Sequence, residues 1–313
     1  MIIDKDLYRT VLINPSSNHD VDKLTIISGY ASASMLSHHR DDLLEQATEP
    51  TIDLTIGMAP TDGIASAQHN AYQLLQGESS RKINCRYFTG STSVHAKVYV
   101  WSQKGNPVIA FAGSANYTHS GFRRGDRIEA MSEVDANSAF AFCRRIHRQS
   151  QLCLFESISE LVEFHEPRVT LRSSIEVPRV GDRVRLPLVK RNGETPSRSG
   201  LNWGQRPEEN REPNQAYISI PSRIYRTDFF PPIGARFVVQ TDDGETMIFV
   251  RAQQHGKALH TPVSNSLIGT YMRRRLKVPS GECVTRTHLD RYGRTDVTMI
   301  RIDEETYFLD FSA

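Results

Sequence analysis

Val94-His95-Ala96-Lys97-Val98-Tyr99-Val100-Trp101, then Val108-Ile109-Ala110-Phe111-Ala112 running into Gly113-Ser114-Ala115-Asn116, reads as two adjacent strands, each with a polar group at one end. Residues two apart on a strand share a face, so His95 and Lys97 aim together while Ala96 faces the packed side. Strand-like runs at 23–27, 51–58 and 83–88 precede this pair, and helical stretches at 66–76 and 136–149 alternate with the strands. This pattern predicts an α/β domain over residues 1–167. A short helical segment is expected at 158–164, and the polar, proline-punctuated stretch 168–182 reads as a linker.

From residue 183 the texture changes to short strand-like runs at 184–189, 216–220, 235–240, 246–252, 297–302 and 306–311. Asp242-Asp243-Gly244 is a hairpin turn between two of them, and one helix is expected over 266–276. Residues 183–313 are therefore expected to form a mainly-β barrel or pseudobarrel.

A chain of 313 residues is long enough for two such cores. It has no run of about eighteen apolar residues and no basic-then-apolar leader, which predicts a cytoplasmic protein without membrane contact. Cys85, Cys143, Cys153 and Cys283 have neither metal spacing nor a disulfide pattern. The net charge of +2 does not by itself announce a polyanionic partner. From Gly181 onward, however, 20 Lys and Arg stand against 16 Asp and Glu, a net +4, and 17 of the 20 cations are Arg. Arginine supplies the planar fork suited to phosphates and guanine edges.

His95-Ala96-Lys97 followed by Gly113-Ser114-Ala115-Asn116 resembles the signature of the phospholipase D superfamily, in the shortened form of its nuclease branches. Ser28-Gly29-Tyr30-Ala31 resembles that superfamily's opening turn. The Asp that the superfamily places five residues after the Lys is replaced by Ser102, which argues against the lipid-processing branch. A second His-x-Lys, His255-Gly256-Lys257, has no Gly-Ser-x-Asn partner and is read as accidental for catalysis.

The superfamily's site needs two His-x-Lys units, one as nucleophile and one as general acid. This chain has one good copy and no internal repeat, so the resemblance implies a homodimer sharing one site across the two-fold axis. His95 is then the nucleophile, and His95 of the second copy the acid and later the base. Lys97, Asn116 and Ser114 stabilise the non-bridging oxygens, and no metal is required. Glu129 is preferred over Glu133 as the carboxylate that orients the histidine. By resemblance to the nucleases, whose Glu closes an Asn-x-Glu triplet, Asp126 stands near, but not at, the triplet's Asn.

Leu201-Asn202-Trp203-Gly204-Gln205-Arg206 and Asn210-Arg211-Glu212-Pro213-Asn214-Gln215 form a long polar arm whose amides and guanidinia can pair with base edges. Together with Phe229-Phe230-Pro231-Pro232, Arg251-Ala252-Gln253, Arg291-Tyr292-Gly293-Arg294-Thr295-Asp296 and Tyr307-Phe308-Leu309-Asp310-Phe311, they resemble the NgoFVII-type restriction endonucleases over most of the chain. That resemblance implies a phospholipase D-like nuclease followed by a recognition domain like the plant B-three domain. Its two arms, about 190–215 and 253–260, would grip the major groove of double-stranded DNA.

The base readers expected are Asn202, Gln205, Arg206, Asn210 and Arg211, with Gln253, His255 and Lys257 on the second arm. Arg273, Arg274 and Arg275 form a basic run suited either to phosphates or to a helix C-terminus. The resemblance further implies a GC-rich site, with GCSGC the candidate, and a protecting methyltransferase. It also implies, for some relatives, a separate helicase-like ATPase, since this chain has no Gly-x-x-x-x-Gly-Lys-Ser/Thr loop. The competing readings are a lipid phosphodiesterase and a sequence-specific DNA-binding protein whose nuclease domain is inactive.

Overall fold

The computed structural model describes residues 1–79, 82–123, 127–166, 182–262 and 264–313. The chain divides into two compact units, Met1–Pro167 and Arg168–Ala313. The linker expected at 168–182 lies, except for Asp182, outside the described residues, as does Asp126.

In the first unit, Lys23–Ser28, Thr51–Ile56 and Ile83–Phe88 run parallel at the centre of an eight-stranded sheet. Lys23–Ser28 and Thr51–Ile56 are buried from their second residue onward, as expected of strands covered on both faces. Lys97–Gln103 and Asn106–Gly113 add antiparallel beside Lys23–Ser28, and Met131–Val134 and Ile2–Ile3 extend that edge. Ser150–Leu152 closes the other edge. Helix Ala136–His147, capped by Asp135 Oδ1 accepting from the Ser138 N–H at 2.8 Å, lays Ala139, Cys143 and Ile146 on Ile27, Phe88, Val98 and Val100. On the opposite face Trp101 is fully buried and donates to the Val11 carbonyl at 2.9 Å.

Three local details differ from the sequence expectation. The strand expected to begin at Val94 begins at Lys97, because residues 94–96 are pinned to the turn after Thr51–Ile56. There the Val94 N–H donates to the Gly57 carbonyl at 3.0 Å, and a Cβ on Gly57 would stand 2.0 Å from the Val94 carbonyl oxygen. The segment expected as helix at 158–164 is a single turn, Ile158–Leu161, followed by Phe164–His165 pairing in parallel with Ile64–Ala65. Helix Ala33–Glu45, started by Ser32 Oγ accepting from the Met35 N–H at 3.3 Å, was not expected.

His39 on that helix is fully buried, with Nε2 at 2.8 Å from the Leu12 carbonyl and Nδ1 at 2.7 Å from the Tyr117 hydroxyl. A carbonyl only accepts, so Nε2 carries the proton and Nδ1 accepts from Tyr117. Burial pushes the His39 pKa down to about 4. Its unfolded value is about 6.5, so the cost of charging it is absent above that pH. The cost grows as pH falls and is complete below the folded value, where it amounts to about 3 kcal/mol. We predict that urea unfolding at pH 7 and pH 4.5 shows a larger acid loss in wild type than in His39→Gln. Equal losses would remove His39 from the acid response.

The second unit is a seven-stranded sheet in the order Arg183–Pro187, Asp296–Arg301, Thr306–Asp310, Arg236–Thr241, Thr246–Ala252, Ala258–His260, Ile218–Ser219. Arg236–Thr241 and Thr306–Asp310 are parallel and the other pairs antiparallel. The two end strands approach one another, so the sheet nearly closes around Phe237, Phe249, Tyr307, Phe311, Met299 and Leu186. Leu267–Leu276 is the expected helix. A second helix, Arg286–Tyr292, is capped reciprocally by Thr285 and His288.

Candidate functional site

In the first unit His95 is exposed just before the strand that Lys97 begins. Lys97 is 6% exposed, and its Nζ lies 3.0 and 3.2 Å from the two His95 ring nitrogens and donates to the His95 carbonyl at 2.7 Å. Burial pushes the Lys97 ammonium below its ordinary pKa, and the Glu129 charge opposes that shift. The neighbouring strand ends at Gly113, where a Cβ would stand 2.1 Å from the Ala130 carbonyl oxygen. The two segments therefore close together, with Ser114 N–H donating to Ala130 O at 2.9 Å and Ala130 N–H donating to Ser114 Oγ at 3.0 Å. The Ser114 hydroxyl donates to Glu129 Oε2. Asn116 Oδ1 accepts from the Tyr30 N–H at 3.1 Å, and a Cβ on Gly29 would meet His95 Cδ2 at 3.0 Å and Asn116 Oδ1 at 3.5 Å.

In the second unit the first arm is anchored by three buried or half-buried polar side chains. Asn202 is fully buried; its amide donates to Pro196 O at 2.8 Å and Val284 O at 2.7 Å and accepts from Val284 N–H at 2.8 Å. Gln205 Nε2 donates to Pro213 O at 3.1 Å and Gly281 O at 3.0 Å. Arg273, 1% exposed, donates to the carbonyls of Glu282, Gly269, Leu201 and Pro213 at 2.8–3.3 Å. Further out, Arg206 and Arg211 both pair with Glu209, at 2.9 and 2.7 Å, and Arg211 lies over Trp203 at 4.3 Å. Pairs to so exposed a carboxylate are screened by solvent, so a phosphate or base edge can replace them at little cost. Asn210 is exposed in a left-handed conformation, φ 51°.

The second arm is a tight turn in which Gln253, His255 and Gly256 have φ of 65°, 61° and 65°. Arg251 holds it from beneath, donating to Gly256 O at 3.0 Å, to His255 O and Pro231 O at 3.4 Å, and to Tyr225 O. His255 and Lys257 are exposed on this turn, and His255 stacks on Tyr225 with centroids 6.5 Å apart.

The NgoFVII restriction endonuclease N-terminal PLD domain matches residues 5–162, and the NgoFVII C-terminal B3-like DNA-binding domain matches residues 180–303. The chain belongs to the NgoFVII restriction endonuclease family. It thus joins a site-specific DNA endonuclease domain to a domain for double-stranded DNA. No curated protein sequence matches the chain. Among solved structures, Nuc of Salmonella typhimurium, a phospholipase D family member, is 14% identical over 49% of this chain and 95% of its own, with a TM-score of 0.35. NucT from Helicobacter pylori is 12% identical over 48% of this chain and 96% of its own, with a TM-score of 0.32. Polyphosphate kinase from Porphyromonas gingivalis is 12% identical over 49% of this chain and 23% of its own, also at 0.32.

This NgoFVII-family chain brings His95, Lys97, Ser114, Asn116 and Glu129 to one end of its first sheet. Glu129 rather than Glu133 reaches the group, since Glu133 lies exposed opposite Phe111 along the strand. Its carboxylate takes the Ser114 hydroxyl, while the Lys97 ammonium stands against the His95 ring. Ser102 is buried five residues down the strand from Lys97, about 16 Å away at the usual rise, so its identity does not touch the site.

In the NgoFVII-family recognition domain one expectation is corrected and one open choice is narrowed. Asn202 is withdrawn as a base reader because its amide is consumed inside the protein. The Arg273-Arg274-Arg275 run is not an open basic patch: Arg273 is buried, Arg274 pairs with Asp243 and Glu245, and Arg275 pairs with Asp242. Asn202→Ala would leave two carbonyls and one N–H unpaired in the interior, and we predict a loss of about 3 kcal/mol, read as a lower thermal midpoint. An unchanged midpoint with weakened DNA binding would instead restore the base-reading role. Arg251 and Tyr30 were missed as site residues; the left-handed Gln253-His255-Gly256 turn is a backbone property that side-chain types alone do not announce.

Proposed function

We propose that the protein is a type II-like restriction endonuclease that hydrolyses double-stranded DNA at or near a short GC-rich site, with GCSGC the candidate. Hydrolysis proceeds without a metal through a phosphohistidine, in a site shared by two copies of residues 1–167. The observation that carries this reading is the exposed His95 imidazole with the Lys97 ammonium 3.0 Å from it and Ser114, Asn116 and Glu129 gathered beside them.

An imidazole is uncharged when it attacks, which suits an anionic phosphodiester. His95 of one copy attacks phosphorus; His95 of the second copy protonates the leaving oxygen, then takes a proton from the water that resolves the intermediate. Lys97 and the Asn116 amide receive the charge on the non-bridging oxygens, and Ser114 adds a hydroxyl. Glu129 supports Lys97 as a counter-charge. A shared site is supported by fully exposed Ile128 beside Glu129.

Arg206, Asn210 and Arg211 on the first arm, and Gln253, His255 and Lys257 on the second, are the proposed DNA contacts; Gln205, whose amide donors go to Pro213 O and Gly281 O, has only its side-chain oxygen to offer. A methyltransferase protects the host site, and, since the chain has no Gly-x-x-x-x-Gly-Lys-Ser/Thr loop of its own, any ATP-driven step falls to a separate helicase-like subunit of the kind the resemblance implies for some relatives. Mixing wild type with His95→Ala tests the shared site. If each site needs both copies of His95, an equal mixture retains about a quarter of wild-type activity per total protein, whereas independent sites retain about half.

A further inference from the structure

Tyr30 lies at the centre of the first unit's site. Its ring is 42% exposed and stands edge-on to the His95 imidazole, with centroids 5.9 Å apart and planes at 78°. Three polar tethers fix it. The hydroxyl donates to Asp62 Oδ2 at 2.5 Å, the N–H donates to Asn116 Oδ1 at 3.1 Å, and the carbonyl accepts from Ser28 Oγ at 2.6 Å. Holding a solvent-facing side chain in one rotamer costs conformational freedom that surface packing does not return. The same ring also flanks a largely apolar cleft lined by Ile56, Met58, Ala59, Ile64 and Tyr72, so the Asp62 bond keeps it over His95 instead of letting it fold inward.

The imidazole is consequently bounded on three sides. Gly29, where any Cβ would approach Cδ2 to 3.0 Å, closes one edge; the Tyr30 ring closes another; and the Lys97 ammonium faces the ring nitrogens. Edge-to-face aromatic contact favours one relative orientation of two rings. A reacting nitrogen needs a fixed direction toward phosphorus, and small misplacements are costly in rate.

We propose that Tyr30, locked by Asp62, is a positioning residue that sets the His95 ring for attack on phosphorus. This rests on the nuclease reading above. Steady-state cleavage of site-containing DNA by the full chain tests it. Tyr30→Leu, which loses ring and tether, lowers kcat by about ten- to a hundredfold with KM and specific DNA affinity unchanged. Tyr30→Phe and Asp62→Ala each lose only the tether and fall by a smaller, similar factor, and the double variant falls no further than either. Asp62→Asn, whose amide oxygen still accepts the hydroxyl, restores activity.

A merely structural role would instead lower the thermal midpoint and affinity together and would not be rescued by Asp62→Asn. Tyr30→Leu with wild-type kcat beside an inactive His95→Ala overturns the positioning role alone, as does full additivity of Tyr30→Phe and Asp62→Ala. Wild type cutting no better than His95→Ala overturns the nuclease reading and this inference with it.

Discussion

Replacing His95 by alanine is expected to lower DNA cleavage by about four orders of magnitude or more while leaving sequence-specific binding unchanged. The loss is this large because one substitution removes two functions. In the proposed site built from two copies, the same residue is nucleophile on one side and proton donor on the other. The fold is expected to tolerate the change, because His95 is exposed and its neighbours are held by main-chain bonds that do not involve its ring. Val94 N–H stays on Gly57 O, and Ser114 N–H stays on Ala130 O. Single-turnover cleavage beside a binding titration checks it, and residual activity within about tenfold of wild type would remove His95 from the reaction.

The second large effect is expected at Arg251. Its guanidinium is 8% exposed and donates only to main-chain carbonyls of the described residues, reaching both sides of the turn that carries Gln253, His255 and Lys257. Two non-glycine residues, Gln253 and His255, hold positive φ there, a conformation that costs about 1–3 kcal/mol each. Arg251 offsets that cost. Arg251→Met keeps the apolar stem and deletes the fork, so the carbonyls lose their donor and the turn relaxes. Specific DNA affinity is expected to fall by at least about a hundredfold, as for loss of one or two bidentate base contacts.

Arg251→Lys is expected to recover part of this, since an ammonium bonds fewer carbonyls than a planar guanidinium. Gly256→Ala reaches the same end from the other side, because its Cβ would stand 2.3 Å from Arg251 Nε. Competition binding with specific and scrambled duplexes reads the effect. A loss equal on both duplexes would mean that the turn contacts the backbone only.

The strands and the gathering of His95, Lys97, Ser114 and Asn116 were legible because they are written in local pattern. The apolar-rich runs at 23–27, 51–58 and 83–88, alternating with helical stretches, announce the strands of an α/β domain, and His95, Lys97, Ser114 and Asn116 lie at fixed offsets along a hairpin. What the pattern does not carry is burial of individual polar groups. Three consecutive arginines on a helix point about 100° apart, so Arg273 turns into the core while Arg274 faces outward, although all three look alike in sequence. Asn202 is the same problem in another form: an amide that can pair with a base edge can pair equally well with Val284 and Pro196. The hairpin between Lys97–Gln103 and Asn106–Gly113 turns on Lys104-Gly105, both at positive φ. Lysine is a poor announcer of such a turn.

The most direct test of the central claim is cleavage of unmethylated plasmid in EDTA, beside the His95→Ala protein, with the fragment ends mapped. A metal-independent, histidine-based restriction endonuclease cuts at one short recurrent sequence under these conditions, and the variant leaves the plasmid intact. Cleavage that appears only when Mg²⁺ is restored, or that is equally strong in the variant, contradicts it.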